Sequence, residues 1–110
     1  MNYNQREIVL VPFPYSDLTA NKKRLYLSFL IRIIIHRFLM LLFVITSNLL
    51  KDDYSVTIDT ENLEAGIMPE KSVIKAHKLF TIDKSKIIKR FSIINQETFD
   101  QVKVKFLNLL

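Results

Sequence analysis

Residues 25–43, LYLSFLIRIIIHRFLMLLF, hold fifteen apolar side chains in nineteen positions and no acid, and nothing else in the chain resembles them. Only Ser28, Arg32, His36 and Arg37 interrupt the run. So long an apolar stretch has to leave water, and two physical solutions exist. One is a bilayer, which about twenty residues of helix would span. Arg32 and the His36–Arg37 pair argue against it, since an arginine near a helix centre costs about 2.5–3.5 kcal/mol on insertion scales. The other is a pair of buried strands, because 25–31 and 38–45 are each of strand length and flank the basic trio as strands flank a hairpin tip. Left exposed, the block would be an aggregation hazard.

With 110 residues the chain has the size of one domain, residues 1–110, and no repeat, Gly/Ser linker or low-complexity tail marks a boundary. It has no cysteine, which removes disulfides, thiolate metal sites, iron–sulfur clusters and a cysteine nucleophile, and agrees with a reducing compartment. The opening MNYNQREIVLVPFPYSDL has no cationic start followed by a long apolar run, because Glu7, Pro12 and Pro14 break it. Secretion is therefore not expected, and the cytoplasm is. A formal net charge of +5 and a pI near 9.6 point to an anionic partner, either nucleic acid or an acidic protein.

Outside the block the pattern is mostly that of strands. Residues 7–12 (EIVLVP) form a β-type run stopped by proline, and Tyr54, Val56 and Ile58 alternate with Ser55 and Thr57 in the period of a half-buried strand. Residues 72–82 (SVIKAHKLFTI) and 87–94 (IIKRFSII) are rich in β-branched and aromatic side chains. Between them lies DKSK, where Asp83 can cap a turn. The stretch LEAGIMPEK reads as a loop in which Gly66 is free to take a positive φ. The period then changes: Asn95 is a good N-cap, Glu97 puts negative charge in the first turn, and Phe99, Val102, Phe106 and Leu109 follow at spacings of three, four and three. An amphipathic C-terminal helix is expected, covering one opening of a small barrel, with Lys103, Lys105 and Asn108 on its wet face.

Three clusters of polar residues invite a chemical reading. From 71 to 90 the chain carries Lys71, Lys75, Lys78, Lys84, Lys86, Lys89 and Arg90 against the single acid Asp83, with Phe80 and Phe91 nearby. Basic residues interleaved with aromatics suit an RNA backbone and its bases, although strand phenylalanines belong more often to a core. His36 and His77 are the only histidines; neither has a second ligand at metal-like spacing, so no metal and no cofactor is expected. Asp52, Asp53, Asp59, Glu61 and Glu64 read most simply as a solvated face.

Two segments, VPFPYSDLTANKKR and, after the apolar block, VITSNLLKDDYSV, resemble the MazF/PemK toxins of bacterial toxin–antitoxin pairs, in which an opening strand and a Pro-containing loop lead to a K-x-R element and a later strand ends in T-S/T-N. Downstream, LEAGIMPEKSVIKAHKLFTIDKSKIIKRF is similar to the family's G-x-L-P-x-x-S and K-L-F-T-L-D-K-S elements. The resemblance implies a mainly β fold, a small SH3-like barrel with a C-terminal helix. It also implies a homodimer and a metal-independent endoribonuclease acting on single-stranded mRNA at short motifs. A cognate antitoxin would be its partner, and operator DNA would be reached only through the antitoxin complex. Position by position, it implies that Arg24 and Thr46 are catalytic. Arg24 would clamp phosphate and could donate a proton, a guanidinium being forked and permanently charged; Thr46 would orient the 2′-hydroxyl. Asp17, Lys22, Lys23, Ser47 and Asn48 are the implied substrate contacts. Some branches of the family use an Asp and an Arg in the downstream stretch; the corresponding positions here hold His77 and Phe80, and no catalysis is assigned to them.

The block is where the chain departs from that pattern. Leu25 stands where the family has Pro, and V-L-I-I-S-type strands with intervening polar residues are replaced by uniform apolar sequence of about the same length. Two compensating frameshifts would produce such a segment between matched flanks; two buried strands would preserve the barrel. Two further readings stand beside the endoribonuclease: a family member without activity that only binds antitoxin or nucleic acid, and a small membrane-associated basic protein.

Overall fold

The chain adopts the strand solution. A computed structural model describes residues 3–12, 23–29, 39–50 and 52–110, so Asp17, Lys22, Arg32, His36 and Arg37 lie outside the described residues. Its strands are β1 (Glu7–Pro12), β2 (Lys23–Phe29), β3 (Leu39–Thr46), β4 (Ser55–Ile58), β5 (Leu63–Ala65), β6 (Ser72–Asp83) and β7 (Lys89–Ile94), followed by helix α1 (Gln96–Leu107). They form one antiparallel sheet in the order β4-β6-β3-β2-β1-β7-β5, curled into a half-barrel that matches the expected fold class. The two halves of the apolar block pair with each other, Tyr26 opposite Val44 and Phe29 opposite Leu41. No helix among the described residues is long and apolar enough to cross a membrane.

The uniform composition of the block follows from the place of β2 and β3 near the middle of the sheet. Successive side chains of a strand point to opposite faces, and here both faces are covered. On one face Leu27, Phe43 and Ile45 join Ile8, Ile74 and the helix residues Phe99 and Val102 in a core. Phe29 bridges sheet and helix, its ring 5.1 Å from Phe43 and 5.4 Å from Phe106. On the other face Tyr26, Met40 and Leu42 pack with Val9, Val11 and Ile87, and Phe80 meets Tyr26 edge-on at 5.1 Å. A strand buried on two sides has no reason to alternate.

The termini of the elements are set by local chemistry. Asn95 Oδ1 accepts from the Thr98 N–H at 2.8 Å and starts α1 as expected. The helix ends at Leu107, so Leu109 falls beyond the apolar stripe and is exposed. Asp83 accepts from the Ser85 N–H at 2.9 Å and opens the 3-10 turn Lys84–Lys86. That turn takes up Ile87, so β7 begins two residues later than its composition suggests. Tyr54 likewise lies outside the strand its alternation implied; it sits in a turn, and its ring contacts His77 at 5.2 Å. The expected loop at LEAGIMPEK is a loop only in part, because Leu63–Ala65 adds to the edge of β7 as β5. Three residues are too few to show a period in sequence.

The acidic stretch is more than a solvated face. Asp59 caps the 3-10 turn Thr60–Asn62 in a reciprocal capping box, Glu64 pairs with Arg6 at 3.3 Å, and Asp52 pairs with Lys75 at 3.2 Å. At the start of β1 the buried carboxylate of Glu7 accepts from the Asn4 N–H and pairs with Arg90 of β7.

Gly66 takes the expected positive φ, +88°, at the exit of β5. A Cβ there would lie 2.7 Å from Ser92 Cβ and 2.9 Å from Ser92 Cα, atoms that cannot swing away. Gly66→Ala should therefore destabilise the chain by about 2 kcal/mol or more. Ile67→Ala, at a residue 64% exposed, should shift the denaturation midpoint little; equal midpoints for the two variants in urea would refute the close-approach argument.

Candidate functional site

The site is built where β2 begins and β3 ends. Arg24 lies next to the first residue of β2, paired with Val11 of β1, and Thr46 is the last residue of the neighbouring β3, paired with Val73 of β6. Both line a cleft of about 460 Å³ together with Lys23 and Ser47. Four of the residues expected to act on substrate are thus brought together, from segments more than twenty positions apart in sequence. The packed pair of strands supplies the rigidity, while Lys23, Arg24 and Ser47 remain exposed at its rim.

Hydrogen bonds fix the turn that follows Thr46. Thr46 Oγ1 accepts from the Asn48 N–H at 3.1 Å, and Asn48 Oδ1 accepts from the Leu50 N–H at 3.2 Å. The Thr46 hydroxyl proton is then directed elsewhere, as a group that orients an acceptor requires. The side-chain carbonyl of Asn48 thus shapes the turn, and its amide group stays at the exposed surface. Beyond this turn Asp52 Oδ1 accepts from the Tyr54 N–H at 2.9 Å and from Ser55 Oγ at 2.7 Å. These bonds, with Lys75 beside them, hold the Asp52 carboxyl at about 2, below its ordinary 3.8.

The far wall comes from residues that sequence reasoning left in a loop or a core. Pro69 and Glu70 precede β6, Ser72 opens it, and Phe91 of β7 and Leu10 of β1 close the floor. Ser72 Oγ donates to the Glu70 carbonyl at 3.0 Å, which ties this segment to the strand. The signal that could have found them is the P-x-x-S spacing of Pro69 and Ser72. The basic stretch 71–90, by contrast, does not act as one surface: Lys75 and Arg90 are bound to Asp52 and Glu7. Among the described residues no group of three or more His, Cys, Asp or Glu side chains could hold a metal ion.

Comparison with known proteins agrees with this fold. The sequence model of the PemK-like, MazF-like toxins of type II toxin–antitoxin systems matches residues 4–110. No curated protein matches the sequence significantly. Among solved structures, an endoribonuclease in complex with its cognate antitoxin from a mycobacterial species superposes with a TM-score of 0.76 at 9% identity, covering 97% of this chain and 93% of that one. The Mycobacterium tuberculosis toxin MazF-mt6 superposes with a TM-score of 0.72 at 15% identity, covering 94% of each chain. At such identities the likeness is one of fold.

The Asp52 bonds have a pH signature. A carboxyl whose folded value lies below its ordinary 3.8 stabilises the fold fully above about pH 4, and that contribution is lost as pH falls toward about 2. In thermal melts the advantage of the natural chain over Asp52→Asn should be largest above about pH 4 and shrink steadily below it. A difference that does not change with pH would show that ionised Asp52 does not hold the turn.

Proposed function

Because the chain belongs to the PemK-like, MazF-like toxin family of type II toxin–antitoxin systems, we propose that it is an endoribonuclease that cleaves single-stranded mRNA in the cytoplasm, works as a homodimer and is held in check by a cognate antitoxin. The observation that supports this most is the convergence of Arg24 and Thr46 on one cleft. Neither residue is distinctive alone; lining one cleft from the ends of two neighbouring strands, they supply complementary parts of one reaction.

Cleaving RNA by its own 2′-hydroxyl needs a proton taken from that hydroxyl, charge stabilised on a phosphorane-like transition state, and a proton given to the departing 5′-oxygen. The 2′-oxygen bonds to phosphorus as the bond to the 5′-oxygen breaks, leaving a 2′,3′-cyclic phosphate and a 5′-hydroxyl. Arg24 takes the middle task, its forked donors matching phosphate oxygens. Its five N–H groups let the same side chain hydrogen-bond the leaving oxygen, which takes its proton from solvent water. Thr46 holds the 2′-hydroxyl in line, and Glu70, the carboxylate on the cleft wall, accepts its proton. Lys23 adds charge for a neighbouring phosphate, Ser47 a polar contact, and Phe91 a ring against which a base can stack. Asp17 and Lys22 complete the proposed substrate contacts from outside the described residues.

An acidic antitoxin segment would find the same cationic rim. The mycobacterial endoribonuclease with this fold is captured with its cognate antitoxin, which supports the pairing.

Purified protein incubated with a single-stranded RNA should release fragments ending in a 2′,3′-cyclic phosphate, seen by mass spectrometry. Arg24→Ala should lower kcat about a hundredfold or more, the scale of losing one preorganised donor, and Glu70→Gln should lower it with little change in KM. RNA left intact by the natural chain would sink the endoribonuclease assignment. Cleavage unaffected by Arg24→Ala would sink the mechanism.

A further inference from the structure

The connection from β3 to β4 has an unusual path. Both strands pair antiparallel with β6, on its opposite sides, so they run parallel to each other and the chain must cross β6 between Thr46 and Ser55. Hairpin turns hold themselves by closing a ladder; a crossing has no ladder to close. Lys75 lies on β6 at the register position shared by Val44 of β3 and Ser55 of β4. Its neighbours Ile74 and Ala76 belong to the helix-covered core, so its own side chain emerges on the opposite face. There the ammonium meets three acceptors from the crossing chain: the Leu50 carbonyl at 3.2 Å, Asp52 Oδ2 at 3.2 Å and Ser55 Oγ at 3.1 Å.

An ammonium has three N–H donors and no acceptor, and all three are matched. The Lys75 side chain is 14% exposed, so little of it is left for a ligand. Asp52 adds a second layer, its other oxygen receiving the Ser55 hydroxyl and the Tyr54 N–H. The register between β3 and β6 jumps at this place, from Phe43 opposite Leu79 to Val44 opposite Lys75. A bulge in β6 of this kind re-aims the side chains beside it.

We infer that Lys75, with Asp52, is a positioning residue: it pins the crossing segment to β6 and so fixes the Thr46–Asn48 turn at the rim of the cleft. Lys75 therefore leaves the RNA-binding set in which its sequence neighbourhood placed it. The role deepens the proposed function and rests on it for its catalytic consequence, but the anchoring can be read without any cleavage. Thr46 is set from one side by strand pairing and from the other by the turn that Leu50 ends. Releasing Leu50 and Asp52 frees that second side.

The test is Lys75→Met in the full chain, read in two ways. Backbone order parameters from nitrogen relaxation at Asn48 and Leu50 should fall from about 0.85 to below about 0.6, while those of β1 and β2 stay unchanged. Cleavage of single-stranded RNA should lose about tenfold in kcat, the scale of one charge-assisted hydrogen bond, with KM changed less than about twofold. Asp52→Asn should loosen the same residues, and the double variant should be no looser than Lys75→Met alone, because both act through one contact. Should Lys75→Met fail to fold, Asp52→Asn and Ser55→Ala report on the same anchor. A turn that stays ordered in these variants overturns the inference. So does a raised KM with a shallower salt dependence, since a lysine bound to RNA phosphate would give that result. If the natural chain does not cleave RNA, the proposed function fails, and the order parameters still decide the anchor.

Discussion

Burial of β2 and β3 on both faces is the constraint from which the rest of the molecule follows. These strands stand third and fourth in a sheet of seven, and Leu27, Leu42 and Phe43 are fully buried there. Each fully buried side chain of this size contributes about 1.5–3 kcal/mol relative to exposure, so the pair anchors the two clusters, with β1 and β6 paired directly on its two sides. Helix α1 is needed because one face would otherwise be open; its Phe99 and Phe106 meet the rings of Phe29 and Phe43, and Val102 joins the same core. The site inherits its rigidity from the same pair. Groups that must hold a geometry do so best on well-packed elements, and Arg24 and Thr46, the residues proposed to act on RNA, lie near the ends of two such strands.

The polar exceptions in this apolar frame have structural tasks. Ser28, fully buried in β2, donates its hydroxyl to the Asn4 carbonyl, and its own carbonyl accepts from the Arg6 N–H at 3.3 Å. Arg6 then takes the left-handed conformation, φ 74°, and reaches the Ile94 carbonyl at 3.2 Å and Glu64 at 3.3 Å. Next to it Glu7 receives the Asn4 N–H and pairs with Arg90. One short N-terminal stretch thereby joins β2, β7 and β5. A buried carboxylate needs such partners, because leaving it unpaired costs several kcal/mol.

How legible the sequence is depends on whether a residue's role is local. The bounds of β1, the Asn95 cap, the Asp83 turn and the positive φ of Gly66 can be read because each is decided within a few residues. The grouping of Arg24 with Thr46 was legible only through the family resemblance, since composition gives no reason to join positions so far apart. Lys75 could not be told from its neighbours for the same reason: in sequence it is one cation in a basic run, and only the β3-to-β4 crossing gives it three acceptors. β5 was invisible because its stability comes from the free edge of β7 and not from its own three residues. The apolar block was legible in part. Its two halves have strand length, but their uniformity looked foreign until both faces of the sheet were seen to be covered.

That distinction bears on how charge works in this chain. A net charge of +5 suggests a surface given over to an anionic partner, yet Arg6, Lys75, Arg90 and Lys103 are each paired with a carboxylate of the chain itself. Such cations do little for long-range attraction, because their fields are largely cancelled at close range, and what remains is screened within about a Debye length. The cations that matter to a phosphate chain are those with low-dielectric walls behind them and an opening in front, where field lines are focused. Lys23 meets that description, with Leu25, Ile45 and Phe91 lining the same cleft. The site therefore depends on where the sheet stops pairing, more than on how many basic residues the chain carries.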